Sequence, residues 1–309
     1  MICSDQKGCG TVGIALNSVA IVANFNITDK MNAAVIVAKK LMELGCAVYM
    51  PAKGEERIRS FVSEMYDKIT FLPFDKLYKN VDAVIAMGGD GTILETARYA
   101  ATDGIPVLGM NLGRLGYLAE LETNELELLA EIVAGNYTVD ERSMLKVSVN
   151  SVKKGKIYCG YALNDAIVSY GSAPKLIDLD LLDNGTPIAT YRSDGLIIAT
   201  PTGSTAYSMA AGGAVVDPRL KCFCVTPICS HSLTSKPLIF PDSAAIEVVN
   251  ISRREKTVSL TLDGRRVYDI YFGDTVCVVK APIMAKLIRI KPRSFYQTLR
   301  SKLNSCDNM

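Results

Sequence analysis

The chain has 309 residues, 49% of them hydrophobic and 21% charged, enough for two packed domains and incompatible with disorder over most of its length. Its formal charge of +2 is too balanced for a protein whose affinity comes from neutralising a nucleic-acid backbone, and the single histidine, His231, excludes a multi-histidine metal centre and most triad hydrolases.

Nine cysteines, an odd number with no repeating spacing, suggest reduced thiols rather than a disulfide framework. No basic region leads into an apolar run at the start, and no stretch approaches the ~18 apolar residues that span a bilayer. A cytoplasmic protein with no membrane partner is expected.

Near the start, Gly8-Cys9-Gly10-Thr11-Val12-Gly13 fits GxGxxG, but polar residues precede it and a strand-like stretch follows. A dinucleotide loop needs the opposite context, a strand before and a helix after, so no cofactor loop is expected there. Ser18–Phe25 is expected as a buried strand, Thr28–Leu44 as an amphipathic helix stopped by Gly45, and Cys46–Met50 as the next strand. Val81–Met87 repeats the rhythm as a strand, Gly88–Gly91 as a sharp turn and Thr92–Ala101 as a helix. A short strand at Ile105–Gly109 and a helix at Asn124–Ala134 follow. Such alternation predicts a parallel sheet with helices on its faces, a Rossmann-like α/β domain over residues 1–140.

After Asp140 the pattern becomes β-rich, with strands at Lys146–Val149, Ala166–Ser169, Ile177–Leu182, Thr257–Leu262 and Thr275–Val279. Asp183-Asn184-Gly185 and Asp263-Gly264 are expected as tight hairpin turns, because these residues tolerate positive φ. A mostly β domain is therefore expected over 141–284. In the last segment, 285–309, Phe295, Leu299 and Leu303 have helical spacing and should pack back onto the first domain; Lys291, Arg293, Arg300 and Lys302 are expected as a solvated face.

Gly88-Gly89-Asp90-Gly91-Thr92 has the right context for a phosphate site, with a strand running in and a helix running out. Glycines without Cβ let backbone approach a polyphosphate, and the N–H groups of the helix start favour the anion. Asp90 does not fit a plain anion cradle. A carboxylate beside phosphate is repelled unless Mg²⁺ lies between them or the carboxylate takes a proton from an attacking hydroxyl. No GxxxxGK[ST] occurs, which argues against a P-loop NTPase.

Asp194–Pro218, DGLIIATPTGSTAYSMAAGGAVVDP, joins an apolar strand to a run of glycines and small hydroxyl residues that pack a core poorly. The hydroxyls of Thr202, Ser204 and Thr205 suit a ligand rich in hydroxyls and phosphates, and Tyr207 can stack on a base or ribose. Cys222, Cys224, Cys229 and His231 match no common zinc spacing, and Pro227 interrupts them; buried thiols beside a loop-fixing histidine are the plainer expectation.

Together these stretches resemble the NAD kinase family, which phosphorylates the adenosine 2′-hydroxyl of NAD to give NADP. The resemblance runs through Gly88–Thr92, Asn111–Leu118 (NLGRLGYL), Asn164-Asp165, the Asp194 stretch, Pro227–Pro237 (PICSHSLTSKP) and Leu262-Asp263-Gly264, in the family's order. It implies Asp90 as the proton acceptor, with Gly89, Gly91, Thr92 and Tyr117 as substrate-binding residues. It further implies that Asn164, Asp165, Lys175, Arg192, Asp194, Thr205, Ala206, Tyr207, Ser208, Ala210 and Arg265 hold the substrate. By the same resemblance the partners are NAD and ATP or polyphosphate, Mg²⁺ arrives with ATP and has Asp90 as a possible contact, and the protein is a homo-oligomer, a dimer or tetramer. The chain departs from the family at Asp165, where Glu is usual, at Ala210 (often Ser), at Ala214 (often Pro), and near Arg265 (often Gln). Two other readings of the same residues are a lipid kinase of the diacylglycerol type, sharing GGDGT, and a non-catalytic dinucleotide sensor.

Overall fold

The computed structural model describes residues 11–61, 66–113, 116–171, 175–232, 235–253, 258–292 and 294–306. The chain forms two compact units, 1–141 with 285–309, and 142–284.

In the first unit the chain runs β1 (Ser18–Ala23), α1 (Thr28–Glu43), β2 (Ala47–Pro51), β3 (Ile69–Leu72), β4 (Ala83–Met87), α2 (Asp90–Ala100) and β5 (Val107–Asn111). The strands pair in parallel in the order β5-β4-β1-β2-β3, with Ala23 in register with Met87. Every residue of β4 and β5 is buried, as expected of strands covered on both faces. The order reverses direction at the β1/β4 pair: β1 leads outward to β2 and β3 on one side, and β4 leads to β5 on the other. At such a switch point the connections leaving the two strands diverge and open a crevice at their carboxyl ends. The turn after β4 is therefore placed where this fold class takes ligands. Met31, Ala34, Val37, Ala38 and Leu41 of α1 fill the core against Val19, Ile21, Val48 and Met50.

The boundaries differ from expectation in places. Helix α2 starts at Asp90 rather than Thr92, because Gly89 is already extended (φ −79°, ψ 178°) and serves as the N-cap. Between 124 and 134 only Leu128–Val133 is helical; the Glu125 side chain folds back to accept the Glu122 N–H and holds the preceding residues in a turn. Of the GxGxxG stretch, residues 8–10 lie outside the described residues, and Thr11-Val12 forms a two-residue strand against Thr138 and Val139.

The second unit begins within β6 (Thr138–Ser151) and continues through β7 (Gly155–Ala162), β8 (Asp165–Tyr170), β9 (Ile177–Asp183), β10 (Thr186–Ser193), β11 (Gly195–Ala199), β12 (Cys222–Ile228), β13 (Leu238–Pro241), β14 (Ile246–Asn250), β15 (Val258–Leu262), β16 (Arg265–Ile270) and β17 (Thr275–Arg289), whose last residues return to the first unit. A six-stranded antiparallel sheet has the order β13-β12-β11-β8-β15-β16. Its inner face, including Ala166, Val168, Leu196, Ile198, Phe223 and Leu260, packs with Leu179, Leu181, Val248 and Val276 in one core. Its other face, including Ile167, Ile197, Ala199 and Cys224, is covered by Val216 and Ala211 from the segment after β11. Burial on both faces explains why LIIA reads as an unbroken apolar run.

Both expected hairpin turns form: Asn184 and Gly185 have φ of 49° and 76°, and Asp263 and Gly264 have 47° and 75°. The C-terminal helix, α3, spans Phe295–Cys306. Lys291 is not solvated as expected. Its ammonium pairs with Glu125, and its N–H donates to Glu120.

Candidate active site

In the first unit the site is built around Asp90. Its carboxylate accepts the backbone N–H groups of Tyr117 (2.9 Å) and Leu118 (3.1 Å), so α2 and the 116–118 segment are tied together by one side chain. A Cβ on Gly116 would lie 1.8 Å from Asp90 Oδ1, which makes that glycine a condition of the arrangement. The far side is braced by the returning chain: Arg289 donates to the carbonyl of Leu118 (3.2 Å) and to the buried Glu120 (3.2 Å), which also accepts the N–H groups of Ile290 and Lys291. Lys302 on α3 lies over the ring of Tyr117, 5.8 Å from its centroid. Sequence reasoning missed Glu120 and Arg289. Their signal is weak, a single charged residue between apolar neighbours, Ala119 and Leu121 for Glu120 and Ile288 and Ile290 for Arg289.

Gly88 is fixed by packing, since a Cβ there would meet the Thr92 hydroxyl at 2.6 Å. At Gly89 and Gly91 a Cβ would meet nothing within 4 Å, so the backbone faces open space at the start of α2, where N–H groups favour an anion. Arg114 and Leu115 of the NLGRLGYL stretch lie outside the described residues.

In the second unit, Asn164 and Asp165 open β8 beside the end of β11. The 163–165 backbone is fully engaged. Its three N–H groups donate to the Asp263 carboxylate (2.9, 2.8 and 3.2 Å), and the Asp165 carbonyl accepts the Asp263 N–H. The carbonyls of Leu163 and Asn164 accept the Thr200 hydroxyl (2.6 Å) and N–H (2.9 Å). Gly203 seats its turn directly on Asn164, whose carbonyl oxygen a Cβ would approach to 2.1 Å. Side chains 164 and 165 thus project from a rigid wall. Asp165 is 4% exposed, and no donor among the described residues reaches its carboxylate. Burial, and after it the Asp263 carboxylate, pushes its pKa up to about 7.

The Gly203–Ala210 turn lines the same end. Tyr207 and Ala210 are exposed, Thr205 and Ala206 partly so. The hydroxyls serve the loop more than the surface. Ser204 donates to the Pro201 carbonyl and accepts the Val216 N–H, Thr205 donates to the Thr202 carbonyl, and Thr202 accepts from Arg142. Ser208 is wholly buried and hydrogen-bonded to Thr226 (3.0 Å). The hydroxyls of Thr202, Ser204 and Thr205, expected to face a ligand, are each engaged in a hydrogen bond within the protein.

Other substrate candidates lie elsewhere. Asp194 precedes β11 and Arg192 is the penultimate residue of β10; Asp194 lies at the opposite end of β11 from Thr200, roughly 20 Å along the strand at its usual rise. Arg192 is held near Asp178 (4.0 Å), and its carbonyl accepts the His231 N–H. Lys175 lies over Tyr170, 5.1 Å from the ring centroid. Arg265 is exposed just after the Asp263-Gly264 turn. Cys222 and Cys224 are buried in β12, whereas Cys229 and His231 are exposed; no group of three metal-ligating side chains occurs among the described residues.

Two halves of the chain match complementary family domains: residues 19–137 match the ATP-NAD kinase N-terminal domain and 163–290 the ATP-NAD kinase C-terminal domain. The chain belongs to the NAD kinase family. Among its relatives are the NAD kinase of Carboxydothermus hydrogenoformans, 41% identical over 250 residues (81% of this chain, 89% of that one), and that of Treponema denticola, 40% identical over 257 residues (82% and 88%). The fold is similar to the crystal structure of yeast NADH kinase complexed with NADH, with a TM-score of 0.83 at 26% identity (93% of this chain, 86% of that one). It is also similar to that of an NAD kinase from Archaeoglobus fulgidus in complex with ATP (TM-score 0.70, 24% identity, 93% and 98%), a likeness of fold alone. Family members so similar in length and sequence agree with the α/β and β-rich units described above.

Proposed function

We propose that this NAD kinase family member transfers the terminal phosphoryl group of ATP to the adenosine 2′-hydroxyl of NAD, giving NADP and ADP. The observation that carries the reading is Asp165, a carboxylate on a residue only 4% exposed that no donor among the described residues reaches, beside the amide of Asn164 and the exposed ring of Tyr207. A buried acceptor without donors is costly, and ribose hydroxyls are donors of the right kind. Asn164 and Asp165 hold the dinucleotide, with Tyr207, Thr205, Ala206 and Ala210 forming the adjoining wall; Ser208 acts from beneath by fixing that wall.

Asp90 accepts the proton of the 2′-hydroxyl as its oxygen attacks the γ-phosphorus in line, and the bond to ADP breaks. The open backbone at Gly89 and Gly91, with Thr92 beside it, receives the donor phosphates. Mg²⁺ enters as part of the ATP substrate and screens their charge. Phosphoryl transfer asks mainly for positioning and charge neutralisation, and the anchoring of Asp90 by Tyr117 and Leu118 serves the first.

Lys175, Arg192 and Asp194, set apart from Asn164 along β11, support a homo-oligomer in which a second copy brings this group to the ligand; mass measurement in solution tests it. A cytoplasmic location agrees with the free thiols. The decisive assay is incubation with NAD, ATP and Mg²⁺, followed by detection of NADP with an NADP-specific dehydrogenase, with polyphosphate as the alternative donor. Phosphorylation of diacylglycerol without NADP from either donor would overturn the reading.

A further inference from the structure

We propose that Asp263 is the positioning residue of the dinucleotide site, holding the Asn164-Asp165 pair at the ligand through three successive backbone N–H groups and setting the charge that Asp165 feels. This rests on the reading that Asp165 contacts NAD.

The geometry goes beyond a hairpin turn. A type I′ turn needs only a residue that tolerates positive φ, and Asn or Gly at 263 would satisfy it. Instead a carboxylate reaches across to β8 and accepts from Leu163, Asn164 and Asp165 at 2.9, 2.8 and 3.2 Å, while its own N–H returns a bond of 3.1 Å to the Asp165 carbonyl. Four hydrogen bonds thus link one turn to one three-residue segment, and three are charge-assisted. The segment bears Asn164 and Asp165, the two side chains that the proposed function assigns to NAD. Asp263 itself needs no contact with the ligand to govern where they stand.

The same contact has an electrostatic consequence. Strands β11 and β15, which flank β8, carry no titratable side chain in their ranges, and neither does the 200–206 turn. Among the described residues of the adjoining segments, the cations are Arg142, bonded to the Thr202 hydroxyl, and Arg265, exposed beyond the turn. Burial, and after it the Asp263 carboxylate, pushes the Asp165 pKa up to about 7. Hydroxyl donors of NAD favour the ionised carboxylate, so binding releases a proton and affinity strengthens as pH rises through neutrality. Burial together with an acidic neighbour therefore makes the site pH-sensitive in the range where a solvent-exposed aspartate would be fully ionised.

The test is the NAD dissociation constant of the parent, Asp263→Asn and Asp165→Asn proteins from pH 5.5 to 8.5, with melting temperature and the ATP KM measured alongside. In the parent, NAD affinity should weaken by about tenfold for each pH unit below the inflection, one proton being coupled to binding. Asp263→Asn keeps one carbonyl acceptor but loses the charge. Its inflection should move to more acidic pH by at least half a unit, and its NAD KM should rise severalfold at pH 8 with the ATP KM unchanged. An inflection unmoved in Asp263→Asn overturns the proposed charge role, and an NAD KM within twofold of the parent at pH 8 overturns the positioning role. Asp165→Asn separates the underlying reading from the proposal: it should abolish the inflection, and an inflection that survives it means that Asp165 does not contact NAD, which overturns both.

Discussion

Asp90 and Tyr117 are joined by a 2.9 Å hydrogen bond from the Tyr117 N–H to the Asp90 carboxylate, whose other oxygen accepts from Leu118 at 3.1 Å. Both oxygens are thus committed to backbone donors, so the residue proposed to take the substrate proton also holds the loop beside it. Each oxygen keeps a further lone pair, and an anchored carboxylate is pre-aimed at the cost of very little reorganisation.

This double role changes what substitution at position 90 reports. Asn presents one carbonyl oxygen and one NH₂, so it can satisfy only one of the two N–H groups and turns a donor toward the other. Asp90→Asn should lower kcat by ~10²-fold or more while the NAD dissociation constant holds, and should also cost about 1–3 kcal/mol of stability from the mismatched donor. Gly116→Ala separates the effects. It leaves the carboxylate chemically intact but drives a methyl group into Asp90 Oδ1, so kcat should fall with NAD affinity within twofold. Retained kcat in the folded Gly116→Ala protein would show that the anchored position is not the reacting one.

Asp165 supplies a prediction about stability. Its folded pKa, about 7, lies above that of an unfolded aspartate, so the folded state holds the proton more tightly. Its contribution is fully present below pH ~4 and is lost as pH rises from there through 7. Asp165→Asn removes this dependence. The melting temperature of the variant relative to the parent should rise steadily between pH 4.5 and 7.5 and level off above. A difference that stays flat over that range would show that Asp165 ionises freely in the fold.

Asp194 tests the second group of substrate candidates. Its backbone is fixed, the N–H to the Ile228 carbonyl at 2.9 Å and the carbonyl to the Tyr170 N–H at 3.3 Å, while its side chain makes no hydrogen bond among the described residues. Truncation therefore removes chemistry and leaves packing alone. Asp194→Ala should raise the NAD KM with little change in the ATP KM or the melting temperature. An unchanged NAD KM in initial-rate kinetics would assign Asp194 to the strand entry only.

The centres of the expected strands and both hairpin turns were legible because they depend on local patterns: apolar runs for β4 and β11, and positive-φ residues at Asn184-Gly185 and Asp263-Gly264; β3, β7, β10, β13, β14 and β16 were not read from the sequence. Strand β12 was hidden because Pro227 looks like a breaker. In the fold Pro227 pairs with Leu196, and the outer neighbour β13 stops opposite Val225, so the missing N–H falls where β12 has one partner only. At the site, sequence identified the stretches but not the direction of their side chains. Ser204 and Ser208 look like ligand hydroxyls in a Gly-rich run, yet Ser204 closes a bond inside the loop and Ser208 ties the loop to Thr226 of β12. Asp263 looks like a turn residue, yet its carboxylate serves a segment nearly a hundred positions away. Such roles depend on which backbone N–H groups lack a partner once the sheet has formed, and local pattern does not encode that.

Gly203 offers the most direct test that the turn and Asn164 share one wall. An added Cβ there would lie 2.1 Å from the Asn164 carbonyl oxygen and 2.5 Å from its carbon, both backbone atoms held by Thr200 and Asp263. No side chain can rotate away to make room. Gly203→Ala must push the turn outward, lengthening the bonds from Thr200 to Leu163 and Asn164 and moving Thr205, Ala206 and Tyr207 away from Asp165. Overpacking of this kind typically costs about 1–3 kcal/mol. The NAD KM should rise by an order of magnitude or more, since the wall that meets the ligand is displaced as a unit, whereas the ATP KM should stay within twofold. Thermal unfolding and initial-rate kinetics on the same preparation decide the matter. Parent-like values for both melting temperature and NAD KM would mean that the turn shifts without consequence, and the shared wall would have to be abandoned as the feature that fixes the dinucleotide.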